Sequence, residues 1–97
     1  MKDIAVVTGA SGGIGKAVAK MIHEKSDGQL RLCIHYNGNQ KAAEATAAEI
    51  PESFLVKADL SSAAGRKTLL EAVLNEGSPY VLVNNAGVDK PHEPALK

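Results

Sequence analysis

The chain has 97 residues, 44% hydrophobic and 23% charged, with 11 basic against 11 acidic side chains and a formal net charge of zero. That length supports one hydrophobic core and excludes a multi-domain reading. The balanced, scattered charge excludes partners held by a strong field, namely nucleic acid and anionic membrane surfaces. The single cysteine, Cys33, leaves no internal disulfide, and the apolar run from Ile4 to Val7 is shorter than the ~7–15 residues of a secretory leader's core. No run approaches the ~18 residues of a membrane span, so a cytoplasmic chain is expected.

Asp3 to Thr8 is short, apolar and runs into a glycine cluster, as a strand buried on both faces does. From Gly13 the period changes. Ile14, Ala17, Val18, Met21 and Ile22 fall at helical spacing, with Lys16, Lys20, Glu24 and Lys25 on the other face, and Gly28 offers a stop after Lys25. Leu30 to Tyr36 reads as a second strand, broken by Asn37, Gly38 and Asn39. A helix with a thin stripe of Ala43, Ala47 and Ile50 is expected from about Asn39 to Ile50, ended by Pro51. Ser53 to Ala58 gives a third strand. Ser61 or Ser62 then caps a helix carrying Leu69, Leu70, Val73 and Leu74, which ends at Gly77, and Tyr80 to Asn84 makes a fourth strand. Strands alternating with helices imply right-handed βαβ units and an α/β parallel sheet. Val88 to Lys97, with Pro91 and Pro94, has no assignable element.

The glycine cluster Thr8-Gly9-Ala10-Ser11-Gly12-Gly13-Ile14-Gly15 lies between a strand end and a helix start, where parallel sheets bind ligands. Helix-start N–H groups and the helix dipole attract anions, and glycines let a phosphate approach the backbone. A P-loop fails twice here, because Ala10 stands where its first glycine belongs and Ala17 follows Lys16. The common G-x-G-x-x-G spacing fails as well. What the chain carries is T-G-x-x-x-G-x-G, with Gly9, Gly13 and Gly15; the alternative use of these glycines is a tight turn alone.

This cluster, together with Asp59-Leu60 at the end of strand three and Asn84-Asn85-Ala86-Gly87 at the end of strand four, resembles the amino-terminal part of a short-chain dehydrogenase/reductase. The resemblance spans essentially the whole chain. Its wording is similar to that of 3-oxoacyl-(acyl-carrier-protein) reductases, with sugar or polyol dehydrogenases as the alternative. It implies a Rossmann-type doubly wound parallel sheet of which residues 1–97 hold the first four strands, in the order 3-2-1-4. It also implies that Gly9 begins the turn, that Ser11 and Gly12 line the adenosine phosphate, and that Gly13, Ile14 and Gly15 bring the helix start against the pyrophosphate. Asp59 would lie near the adenine and Leu60 against it, while Asn85, Ala86 and Gly87 would flank the ribose. Asp59 read as a plain turn or cap residue, and the Asn pair read as sheet bracing, are the competing structural uses, with Asn84 the one expected to brace.

Cofactor choice in such sheets turns on the end of strand two, where a carboxylate selects NAD and a basic residue NADP. Here stand Tyr36, Asn37 and Gly38, which carry no carboxylate and so favour NADP, with NAD the alternative. Lys41 is near enough to help if its helix starts close by, and Arg31 lies at the far end of its strand. His23, His35 and His92 share no metal-ligand spacing with one another or with Cys33, so packing or surface roles are expected. The family's Tyr-x-x-x-Lys pair is missing: Tyr36 is followed four positions on by Gln40 and Tyr80 by Asn84. The resemblance therefore implies a cofactor-binding portion of an oxidoreductase acting on a small-molecule or acyl-carrier substrate, itself inactive, against the alternative of a non-catalytic nucleotide-binding or interaction protein. Strand four would be an apolar edge, expected either to pair with a second copy or to make the chain aggregation-prone.

Overall fold

The structure, a computed structural model, describes residues 2–10 and 13–84. Its elements are β1 (Asp3–Val7), α1 (Gly13–Lys25), β2 (Leu30–Tyr36), α2 (Gln40–Ala48), β3 (Phe54–Lys57), α3 (Ala63–Glu76) and β4 (Ser78–Val83). The four strands form one sheet in the order β3-β2-β1-β4, with every neighbouring pair parallel. This is the α/β architecture expected from the alternation of strand and helix patterns, and the strand order is the one that the family resemblance implied.

Alternation along β1 divides the core in two. Ala5 and Val7 face one way, joining Leu32, Ile34 and Tyr36 of β2 under α1 and α2. Ile4 and Val6 face the other way, joining Cys33, Val56, Leu69 and Val73 under α3. Both faces of a parallel sheet are therefore buried, which is why β1 reads as a continuous apolar run. Cys33, wholly buried at the sheet centre, has its thiol pushed up to about 12 by desolvation, the nearby Arg31 charge opposing weakly. A buried neutral thiol is a poor nucleophile. Alkylation of Cys33 by iodoacetamide at pH 8 is accordingly expected only after denaturant is added, and rapid labelling of the native chain would contradict the burial.

α1 keeps its helical period but is turned by one residue from the expected face. Gly15 and Ala19 are buried and Val18 and Ile22 pack beside them, whereas Ile14 is 67% and Met21 51% exposed. Small residues at i and i+4 let the helix backbone come close to the sheet, and that close approach outweighs the bulk of Ile14 and Met21. On α3, likewise, only Leu69 and Val73 are buried; Leu70 and Leu74 are exposed, Leu70 lining an aliphatic groove of about 480 Å³ against β4.

Strand and helix ends differ from expectation by a residue or two, each for a visible reason. Asn39 is the N-cap of α2, its side chain accepting the Ala42 N–H at 3.0 Å, and Ser62, of the two serines, caps α3 by accepting the Gly65 N–H. The Ser53 hydroxyl lies against the carbonyls of Ala47 and Ile50 at the end of α2 instead of entering β3. β4 starts at Ser78, two residues early. Pro79 is tolerated because β4 is an edge strand, and a bulge at Tyr80 absorbs one residue, since Ile4 pairs with Pro79 and Ala5 with Val81.

Surface pairs link the layers. Lys16 and Lys20 of α1 reach Glu49 after α2 at 2.7 and 2.8 Å, and hydrogen bonds from Lys16 and then Lys20 hold the Glu49 carboxyl down at about 2. The clasp is complete above the ordinary carboxylate range and is lost as pH falls toward 2. At the opposite edge of the sheet from the glycine turn, Arg31 pairs with Glu76 and stacks 4.6 Å over the Phe54 ring. That engagement removes it from the ligand edge, as its place in the strand implied.

Candidate functional site

The carboxyl ends of β1, β2 and β3 bring three short segments to one edge of the sheet. The first is the glycine turn. Gly9 has φ +65° and Gly13, which opens α1, φ +51°, conformations that side-chained residues rarely adopt. A Cβ built at Gly13 would meet nothing within 4 Å among the described residues, so the space beside the start of α1 is open there. The first turn of α1 carries no acidic residue. An open glycine cradle at the positive end of a 13-residue helix fits an anionic phosphate. Gly15 lies buried against the sheet and Ile14 projects outward. Ser11 and Gly12 lie outside the described residues.

The second segment follows β2. Tyr36 is 7% exposed and packs in the core with Ile34 and Ala43, and its carbonyl accepts the Ala58 N–H at 3.1 Å. Asn37 and Gly38 are exposed. Lys41 is exposed in the first turn of α2, which starts four residues beyond Tyr36.

The third segment follows β3. The Asp59 carboxylate accepts both the Ser61 N–H at 3.0 Å and the Ser61 hydroxyl at 2.6 Å, and the Asp59 carbonyl accepts the Ser62 N–H. Asp59 thus shapes the turn into α3, the structural use weighed against a ligand role, while remaining exposed at the ligand edge. Leu60 packs partly against the α3 cluster, and its carbonyl accepts from Arg66 at 2.9 Å.

β4 contributes on the other flank. The Thr8 N–H donates to the Val83 carbonyl at 3.0 Å, and the Thr8 hydroxyl lies 3.3 Å from both that carbonyl and Asn84 Oδ1. Asn84 braces the sheet as expected. Asn85, Ala86 and Gly87 lie outside the described residues.

His35 has the packing role expected of it, and its ring also makes two hydrogen bonds that the sequence did not announce. It is 2% exposed, its Nδ1 accepts the Gly9 N–H at 3.0 Å, and its Nε2 lies 2.8 Å from the Ala58 carbonyl. The available hint was a polar side chain in the buried part of the strand, after Leu32, Cys33 and Ile34 and one residue from its carboxyl end.

The glycine turn stands between β2 and β4, the neighbours reached from β1 in opposite directions. This is the switch point at which doubly wound sheets bind ligands. The arrangement can hold phosphates at the turn and a nucleoside toward Asn37 and Asp59. Among the described residues no tyrosine is followed four positions on by lysine.

Comparison with known proteins agrees with this geometry. Residues 3–96 match the family model for short chain dehydrogenase. The chain is 37% identical over 95 residues to a 3-oxoacyl-(acyl-carrier-protein) reductase of Staphylococcus epidermidis, covering 93% of this chain and 38% of that one. It is 38% identical over 85 residues to a polyketide synthase ketoacyl reductase assigned to granaticin in Streptomyces violaceoruber, covering 87% of this chain and 33% of that one. Among solved structures, an actinorhodin polyketide ketoreductase with NADPH superposes with a TM-score of 0.78 at 31% identity, covering 89% of this chain and 33% of the other. The chain thus spans between 33% and 38% of the length of these relatives.

Proposed function

The chain belongs to the short-chain dehydrogenase family, and from that premise we propose that it is the cofactor-binding portion of an NADP-dependent oxidoreductase acting on a carbonyl or alcohol, of the kind that reduces 3-oxoacyl groups on an acyl carrier. The observation that carries the reading is the turn with positive φ at Gly9 and Gly13, open beside Gly13 and set at the switch point of the sheet. The cofactor, when bound, supplies the hydride. The chain's own residues bind and orient it: Gly9, Ser11, Gly12, Gly13, Ile14 and Gly15 at the phosphates, Asn37 with Tyr36 beneath it at the adenosine ribose, Asp59 and Leu60 at the adenine, and Asn85, Ala86 and Gly87 beside the ribose.

Preference for NADP over NAD is supported by the lack of a carboxylate at residues 36–38, where one would repel a 2′-phosphate, and by the exposed Lys41 nearby. The NADPH named with the actinorhodin ketoreductase points the same way. Substrate class is supported by the two reductase relatives named above. A cytoplasmic home belongs to the same proposal, supported by a lone, buried thiol.

Isothermal titration with NADPH and NADH tests this reading. NADPH is expected to bind at one site, with NADH weaker by roughly tenfold, the worth of one charge-assisted hydrogen bond. Equal affinities would overturn the NADP preference, and no binding of either would overturn the function. The 97 residues alone are expected to give no hydride transfer, for want of a Tyr-x-x-x-Lys pair.

The same proposal includes self-association. Among the described residues β4 pairs only with β1, and Tyr80 and Leu82 on it are 68% and 67% exposed, so this edge is a template for a second copy. Sizing chromatography is expected to show a concentration-dependent dimer; an invariant monomer would contradict this.

A further inference from the structure

The glycine turn is tied down on two flanks. Toward β4 the bonds come from Thr8, and toward β2 they converge on His35. The His35 carbonyl accepts the Ala10 N–H at 2.9 Å, its ring Nδ1 accepts the Gly9 N–H at 3.0 Å, and its ring Nε2 meets the Ala58 carbonyl at 2.8 Å. An amide N–H can only donate and a carbonyl can only accept, so the ring is the neutral tautomer with its proton on Nε2. Protonating Nδ1 would set two donors against each other.

The strand itself does not require this residue. His35 lies on the α3 face of β2, two positions from Cys33 on the same side, where an aliphatic side chain would satisfy the sheet. A buried polar group with both of its polar atoms matched serves instead to fix one arrangement of the segments that it joins. Those segments are the phosphate-side turn at Gly9 and the last residue before Asp59 and Leu60.

We propose that His35 is a positioning residue for the dinucleotide: it holds the Gly9 amide to the end of β3, so that the phosphate-side turn and the adenosine-side corner keep a fixed separation before ligand arrives. The inference rests on the dinucleotide reading of the turn. A turn already ordered loses less conformational freedom on binding, so the clamp acts on affinity beyond its share of stability.

Two substitutions separate these effects. In His35→Asn the side-chain oxygen falls at the Nδ1 position, keeping the Gly9 bond and losing the Ala58 bond. In His35→Gln the side-chain nitrogen reaches the Nε2 position, keeping the Ala58 bond and losing the Gly9 bond. Each variant loses one hydrogen bond, so thermal melts are expected to fall by similar amounts. NADPH affinity at matched folded fraction is expected to diverge: within about twofold of wild type for His35→Asn, and about five- to tenfold weaker for His35→Gln, the worth of one hydrogen bond. Equal NADPH affinity of the two variants would overturn the role of His35 while leaving the dinucleotide reading intact. No NADPH binding by the wild-type chain would overturn that reading and this one with it. If His35→Gln does not fold, the imidazole nitrogen resonances of the wild-type chain decide. An unprotonated Nδ1 that shifts on addition of NADPH supports the clamp, and a protonated or unresponsive Nδ1 overturns it.

Discussion

Replacing Gly65 by alanine is expected to destabilise the chain, although the site is helical and alanine is the better helix former by about 1 kcal/mol. Gly65 lies in the first turn of α3, its N–H held by the Ser62 cap at 3.0 Å. That turn is folded down onto the chain leaving β3. A Cβ on Gly65 would fall inside the Asp59 carbonyl group, and backbone on both sides offers no flexible end to move aside. Overpacking costs about 1–3 kcal/mol where side chains can adjust. Here the whole turn must lift, so the net loss is expected to reach at least about 2 kcal/mol, a fall of roughly 10 °C or more in Tm for a domain of this size. Because lifting the turn moves Asp59 as well, NADPH affinity is expected to fall with it. A melt of Gly65→Ala at or above the wild-type temperature would show that α3 does not approach Asp59 in this way.

Ile4→Ala is expected to be as damaging from within the core. Ile4 is wholly buried on the α3 face of β1, and its side chain lies so near Gly77 that an added Cβ there would meet it at 3.2 Å. Removing three carbons from such a site costs about 2–5 kcal/mol, according to how far the surroundings collapse. One helix alone covers this face among the described residues, and the strands cannot shift without breaking the sheet, so a value in the upper half of that range is expected. Set against a typical total of about 5–15 kcal/mol, that leaves a chain close to unfolding at 37 °C. Leu70→Ala serves as the control: its side chain is 53% exposed, and its effect should stay within about 0.5 kcal/mol. Urea denaturation compares the two, and equal effects would mean that the α3 face is not packed as described.

How far the sequence could be read depended on which physics set each feature. The parallel sheet and both layers were legible because the switches of period after Thr8, Lys25, Tyr36 and Ala58 are sharp and βαβ crossovers have one hand, whereas the strand order came from the family resemblance. The ligand edge was legible because glycines at a strand-to-helix turn serve a backbone requirement, now visible as positive φ at Gly9 and Gly13. The buried face of α1 was not, because hydrophobic bulk singles out Ile14 and Met21 whereas helix-to-sheet distance selects Gly15 and Ala19. The start of β4 was hidden by Pro79, which interior strands reject and edge strands accept. The hydrogen bonds of the His35 ring were hidden because their partners lie 26 and 23 residues away, which no local pattern reports.

The central claim, that the turn at Gly9 and Gly13 receives a dinucleotide, is tested most directly by following the backbone amide resonances of the 15N-labelled chain during titration with NADPH. The largest shifts are expected at Gly9, Gly13 and Ile14, with a second group at Asn37 and Asp59 and little change at Arg31 or Glu76 on the opposite edge. Shifts centred on Leu69, Leu70 and Leu82 around the aliphatic groove, or none at saturating NADPH, would contradict it.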